Sequence, residues 1–158
     1  MVTLRRITGW GALVCYLVMS AMLYFSVLPS VDWLWPPDFH LRGYDAVSMA
    51  EFWHALTAEA RETYTEILLR WDRAFILCIA LWMALSGWRG GWMRYAVALL
   101  AGLYALIDLA ENLAIFRFIS GSVWDPTFVE IGSNLTMAKF ASAYLCILVL
   151  VVHLRRLS

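Results

Sequence analysis

The chain has 158 residues, a formal net charge of zero, 63% apolar side chains and a mean hydropathy of +0.70, more apolar than an ordinary soluble domain of this size. A single integral membrane domain over residues 1–158 is the expectation, and the lack of a basic patch on any soluble face excludes nucleic acid as a partner. Cys15, Cys78 and Cys146 each lie alone in a different apolar run, which excludes a disulfide staple and a paired-thiol relay.

Charge is distributed by side. All twelve acidic residues fall between Asp32 and Glu130, whereas Arg5, Arg6, Arg89, Arg94, Arg155 and Arg156 flank the hydrophobic runs without an accompanying carboxylate. Basic span ends are retained in the cytoplasm, so this pattern predicts four crossings with both termini inside and the two longer connections outside. The expected fold is all-α: a four-helix transmembrane bundle with an extracytoplasmic helical cap between the first two spans, multi-pass in a bacterial inner membrane. The basic ends would meet anionic lipid, and the bilayer is the first partner.

In chain order, the first span is expected at 7–28, about 22 residues and long enough to cross a ~30 Å hydrocarbon layer before Pro29. The run is long for a signal peptide and lacks a clear small-x-small cleavage site, so it reads as a retained anchor. The outer cap, about 30–67, begins with Trp33, Trp35 and the breaker pair Pro36-Pro37 at headgroup level. Asp45 is placed to cap a short helix in which Met49, Phe52, Trp53 and Leu56 recur on one face. Thr57 offers a second N-cap, with Glu59 and Glu62 at the positive end of the helix dipole. No Gly or Pro intervenes from there to Gly87, which predicts one long helix running from the cap into a second span at 68–88, with Arg61, Tyr64, Leu68 and Asp72 on one face.

The Gly87 to Gly91 stretch reads as a tight inner turn. A third span at 92–116 carries small residues at Ala98-Gly102 and Ala101-Ala105, and a fourth at 134–154 carries Ala138, Ser142 and Cys146, the spacing that lets membrane helices approach closely. The outer link between them contains Ser120-Gly121-Ser122 and Asp125-Pro126, with Ser133 as the expected cap of the fourth span. The two halves show no matched broken helices, so an inverted-repeat transporter is not indicated.

The most specific chemistry is Asp108-x-x-Glu111-Asn112, because intramembrane carboxylates are costly and face a partner or a cavity. Tyr104, Asp108, Glu111 and Asn112 make one stripe on the outer half of the third span. Helix direction brings Asp72 and Lys139 to the same depth. Asp72, Asp108, Glu111, Asn112 and Lys139 are therefore the candidate polar cluster, either a structural lock between helices or a site for a solute or cation.

Histidine placement excludes a bis-histidine haem carrier, since His40 and His54 are outside and His153 is at the inner end of the fourth span. His40 and His54 also lack the i, i+4 spacing of a helical metal pair. No Gly-x-Ser-x-Gly elbow accompanies Gly121-Ser122. No catalytic residue, metal or cofactor is assigned. His40, Tyr44, His54, Arg61 and Tyr64 are candidate lid residues over the cluster.

The run Gly43-Tyr44-Asp45, Arg61-x-x-Tyr64, Asp72, Asp108-x-x-Glu111-Asn112 and Lys139 resembles a group of uncharacterised small bacterial four-span integral membrane proteins, over most of the chain from Gly43 onward. The resemblance implies a four-helix membrane bundle with the outer polar cluster as a shared feature, and it brings no activity with it. The leading expectation is a non-catalytic accessory or assembly subunit that binds a membrane-protein partner or a second copy of itself. The alternative is an outer-leaflet enzyme or small-solute or cation binder using Asp108, Glu111 and Lys139.

Overall fold

The computed structural model describes residues 1–121 and 124–156, so Ser122 of the expected outer link lies outside them. Every regular element among the described residues is helical. The α-helices are α1 (Val2–Met22), α2 (Ala46–Ala55), α3 (Ala58–Glu66), α4 (Asp72–Gly87), α5 (Met93–Ser120) and α6 (Pro126–Arg156). Three helical stretches are long and apolar enough to cross a membrane: Val2–Val31, Met93–Ser120 and Pro126–Arg156. At 16 residues α4 is shorter, but it continues without a break from α3.

The first helix does not stop at Pro29. It passes through a π-helical turn at Leu23–Val27 into a 3₁₀ turn at Leu28–Val31, where proline occupies an early position that needs no amide donor. The chain then reverses at Asp32 and Trp33, both with positive φ of 48° and 63°. Trp33 is a bulky residue in a region that disfavours one, and its ring packs edge-on against Tyr24 at 5.2 Å.

The two caps read from the sequence are present. Asp45 accepts from the Val47 and Ser48 amides at 2.8 Å, and these donors hold its carboxyl below the usual range. Thr57 accepts from the Ala60 amide at 3.2 Å. Met49, Phe52 and Leu56 are buried as their spacing requires, joining Val27, Val31, Tyr64, Leu68, Ile115 and Ile119 in the larger apolar core.

The fourth helix begins earlier than expected. Asp125 accepts from the Thr127 amide at 2.9 Å with Pro126 opening the helix, a stronger start signal than Ser133. Ser133 consequently lies inside α6, where its hydroxyl accepts the Tyr44 amide at 2.8 Å and ties the cap to the helix. The adjacent Gly43 has φ +80°, and a Cβ there would come within 2.7 Å of the Ser133 oxygen. Glycine is required on both counts.

Helices α1, α4, α5 and α6 pack in sequence, each on the next, while α1 and α6 barely meet. Small residues set the close approaches. A side chain at Gly9 or Gly11 would meet Trp82 or Cys78 of α4 at about 3 Å, and one at Gly87 would meet Val97 at 2.7 Å. Gly102, expected at a helix contact, instead faces open space, so α5 approaches its neighbours through Ala101. A second apolar cluster of Ala80, Met83, Val97, Ala101, Tyr104, Cys146 and Leu150 fills the other half of the bundle. Buried His153 closes that end, its Nε2 lying 3.0 Å from the Gly87 carbonyl.

Candidate functional site

Between the two apolar clusters lies a buried polar layer. Asp108, Glu111 and Asn112 project from α5 with exposures of 3%, 0% and 0%, and Lys139 from α6 with 9%. The stripe spacing on α5 and the inward face of α6 bring them together. The Lys139 ammonium lies 2.6 Å from Glu111 Oε2, 3.6 Å from Asp108 Oδ1 and 3.8 Å from Asp38 Oδ1. Thr136, one turn before Lys139, donates its hydroxyl to Glu111 Oε1. Glu111 is thereby held by an ion pair on one oxygen and a hydrogen bond on the other.

Asn112 links a separate pair of elements. Its Nδ2 donates to Asp72 Oδ2 at 2.6 Å and reaches the Leu68 carbonyl at 3.3 Å. Leu68 belongs to the π-helical turn Ile67–Trp71 that joins α3 to α4. Such a turn widens the backbone ladder, and these turns recur at functional sites. Tyr64, Leu68 and Asp72 nevertheless line one cavity, while Arg61 turns to the end of α5.

Asp38 is the group that sequence reasoning missed. It sits in the 3₁₀ turn Pro37–Phe39 of the cap, accepts the Tyr64 hydroxyl at 2.5 Å and faces Lys139. A phenol beside an ionised carboxylate can only donate, because the carboxylate offers acceptors alone. The only hint was an acidic residue directly after Pro36-Pro37, in a stretch with no periodicity to assign it a face.

The lid residues divide. Tyr44 enters the site, its hydroxyl resting where a side chain at Gly132 would otherwise stand, 2.5 Å from that Cβ position. Burial raises its phenol above the usual range. Tyr64 enters through Asp38. Arg61 instead fastens the cap to the end of α5, donating to the Ile119 and Trp53 carbonyls with its guanidinium 4.8 Å from the Trp53 ring. His40 stays at the rim, with Nε2 3.2 Å from the Trp35 carbonyl and its ring against Tyr44. His54 is exposed and packs on Trp53, so it takes no part in covering the cluster. An amphipathic helix turns its charged and imidazole positions outward when Met49 and Phe52 define the buried face.

A cavity of about 360 Å³ opens beside the layer, between α1, α4 and α6. Its polar end is formed by Asp38, Tyr64, Asp72, Tyr104, Asp108 and Lys139. The rest of the wall is apolar except for Ser20 and the Tyr16 hydroxyl, and includes Met19, Leu23, Phe75, Ile79, Met83 and Ile147. Asp108 lines this wall, but its Oδ1 is closed off from the open volume and receives no hydrogen bond among the described residues. Lys139, at 3.6 Å, is near enough for charge attraction but too distant for good hydrogen-bond geometry. No group of three His, Cys, Asp or Glu among the described residues is arranged to hold a metal ion. No protein-family model, curated protein or solved structure matches the chain.

Proposed function

We propose that this chain is a multi-pass protein of the bacterial inner membrane, a four-helix bundle whose outer helical cap covers a binding site for a small molecule. Helix α4 is the remaining span, completed by the π turn and the end of α3. Both termini are cytoplasmic, since the six arginines without neighbouring carboxylates flank the same ends of the bundle. The observation that carries the binding reading is the cavity itself: a mostly apolar volume of ligand size with Asp38, Asp72, Asp108 and Lys139 at one end. A pocket that is mostly apolar with a few convergent polar groups is the usual form of a small-molecule site.

The test is chemical analysis of protein purified in a neutral detergent, denatured and extracted, alongside Asp108→Asn and Glu111→Gln. A bound small molecule in the wild type, absent from folded isosteric variants, supports the reading. If the wild type releases nothing and both variants lose abundance and thermal stability, the cluster is a lock between helices and nothing more.

A second reading, an accessory or assembly subunit, is favoured by one feature. Trp33, Trp35, Phe39, Leu41 and Val47 are all exposed on the cap, Val47 at 73%, an apolar surface that a membrane partner or a second copy would cover. A protein that co-elutes in stoichiometric amount in the same purification, and is lost in Trp35→Ser with Val47→Asp, supports it.

Topology is tested by labelling. With Cys15, Cys78 and Cys146 replaced by alanine, Val47→Cys should react in intact cells with a thiol reagent that cannot cross the membrane, and Gly90→Cys should react only after lysis. The reverse pattern would overturn the orientation.

A further inference from the structure

We propose that the ligand is an amphiphile with a single cationic head, an alkylamine or a quaternary ammonium compound, which enters sideways between α1 and α6 and lays its chain along the apolar cavity wall. This rests on the binding reading above. Three observations lead to it.

The first is shape. The cavity has its polar groups at one end and an apolar wall running from Leu23 and Phe75 to Met83 and Ile147, so it suits a molecule with a head and a tail. At about 360 Å³ it lies near the lower limit for drug-sized ligands, which fits one chain or a compact ring system rather than a two-chain phospholipid. The second is access. Because α1 and α6 barely pack on each other while both contribute to the wall, the gap between them faces the lipid side. From above, Asp38 and Phe39 of the cap close the polar end.

The third is charge. Asp38, Asp72, Asp108 and Glu111 gather around one ammonium, Lys139. Glu111 takes the shortest contact with that ammonium, Asp38 accepts from Tyr64 and Asp72 from Asn112. Asp108 lines the cavity with a more distant contact, 3.6 Å from the Lys139 ammonium. A cationic head at this end of the cavity would face Asp38, Asp72 and Asp108, while an anionic head would meet the same three carboxylates and a single ammonium already paired with Glu111. An organic cation fits better than a metal ion, because the carboxylates do not converge at metal-ligating geometry.

The experiment uses the full-length protein in a neutral maltoside detergent, with thermal unfolding followed on addition of dodecylamine, dodecanol, dodecanoate or methylammonium. Dodecylamine should raise the unfolding temperature by several degrees at concentrations about tenfold below those at which dodecanol acts, the difference between a charge-assisted and a neutral hydrogen bond. Dodecanoate and methylammonium should have no effect. Asp108→Asn should abolish the preference for amine over alcohol. Should that variant not fold, Ala143→Phe, which fills the apolar wall from α6, should lose the response to both while leaving the polar layer intact.

Equal responses to dodecylamine and dodecanoate, or a dodecylamine response that persists in Ala143→Phe, would overturn the proposal. If methylammonium stabilises as well as dodecylamine, or if no probe acts although a small molecule is extracted from the purified protein, the amphiphile assignment fails and the binding reading stands. No response to any probe together with no extracted molecule removes both.

Discussion

Lys139→Met alone should destabilise the protein more than the triple change Lys139→Met, Asp108→Asn, Glu111→Gln. The single change leaves Glu111, which has no exposed surface, facing an apolar side chain at the place where an ammonium now sits 2.6 Å away. Asp108 and Asp38 lose the same cation. Breaking one side of a buried ion pair typically costs about 3–5 kcal/mol, whereas the triple change also neutralises the two nearest carboxylates and leaves only Asp38, partly exposed and 3.8 Å from that ammonium, without its cation. The Thr136 hydroxyl, which donates to Glu111, still finds an acceptor in the carboxamide oxygen that Glu111→Gln supplies. Thermal unfolding in detergent measures the comparison. A triple variant no more stable than the single one would mean that Lys139 contributes packing or hydrogen bonds to the backbone, and that the polar layer is not electrostatically coupled.

The core of that layer is legible in the sequence because helical periodicity fixes faces. Asp108, Glu111 and Asn112 recur on one stripe, and the direction of each helix puts Asp72 and Lys139 at their level. Lys139 accordingly faces Glu111 and Asp108, and Asn112 reaches Asp72. Helix starts were read less well than helix faces. Ser133 resembled a helix start because it precedes an apolar run, but Asp125-Pro126 was already available upstream and began the helix there. What lay outside periodic segments was not readable. Asp38 reaches Lys139 only because two prolines and the positive-φ turn at Asp32 and Trp33 fold the chain back over the bundle. Neither the π turn at Ile67–Trp71 nor the loose α1 and α6 seam leaves a sequence signature, since both follow from how helices of unequal length settle against one another. The cavity is a product of that seam. It was therefore invisible in the sequence, although its polar end was not.

The largest backbone effect is expected at Glu66, whose side chain contributes little. Its carboxylate is half exposed and pairs with Arg70 at 3.4 Å on the surface, an i, i+4 contact worth a few tenths of a kcal/mol. Glu66→Ala should accordingly leave stability almost unchanged. Glu66→Pro should cost roughly 3 kcal/mol or more, because it removes a backbone donor within the continuous helix and its ring collides with the preceding turn. The damage would not stay local. Glu66 is the last residue of α3 and is followed directly by the π turn, whose Leu68 carbonyl accepts from Asn112. A kink there pulls Tyr64 from Asp38 on one side and shifts Asp72 from Asn112 on the other. The proline variant should thus lose thermal stability and, where it still folds, lose any small molecule that the wild type retains through purification. Equal stability of Glu66→Pro and Glu66→Ala would show that the segment tolerates a break. The cap would then be joined to the bundle by a flexible hinge, and its hold on the polar layer would rest on Arg61, Ser133 and Asp38 alone.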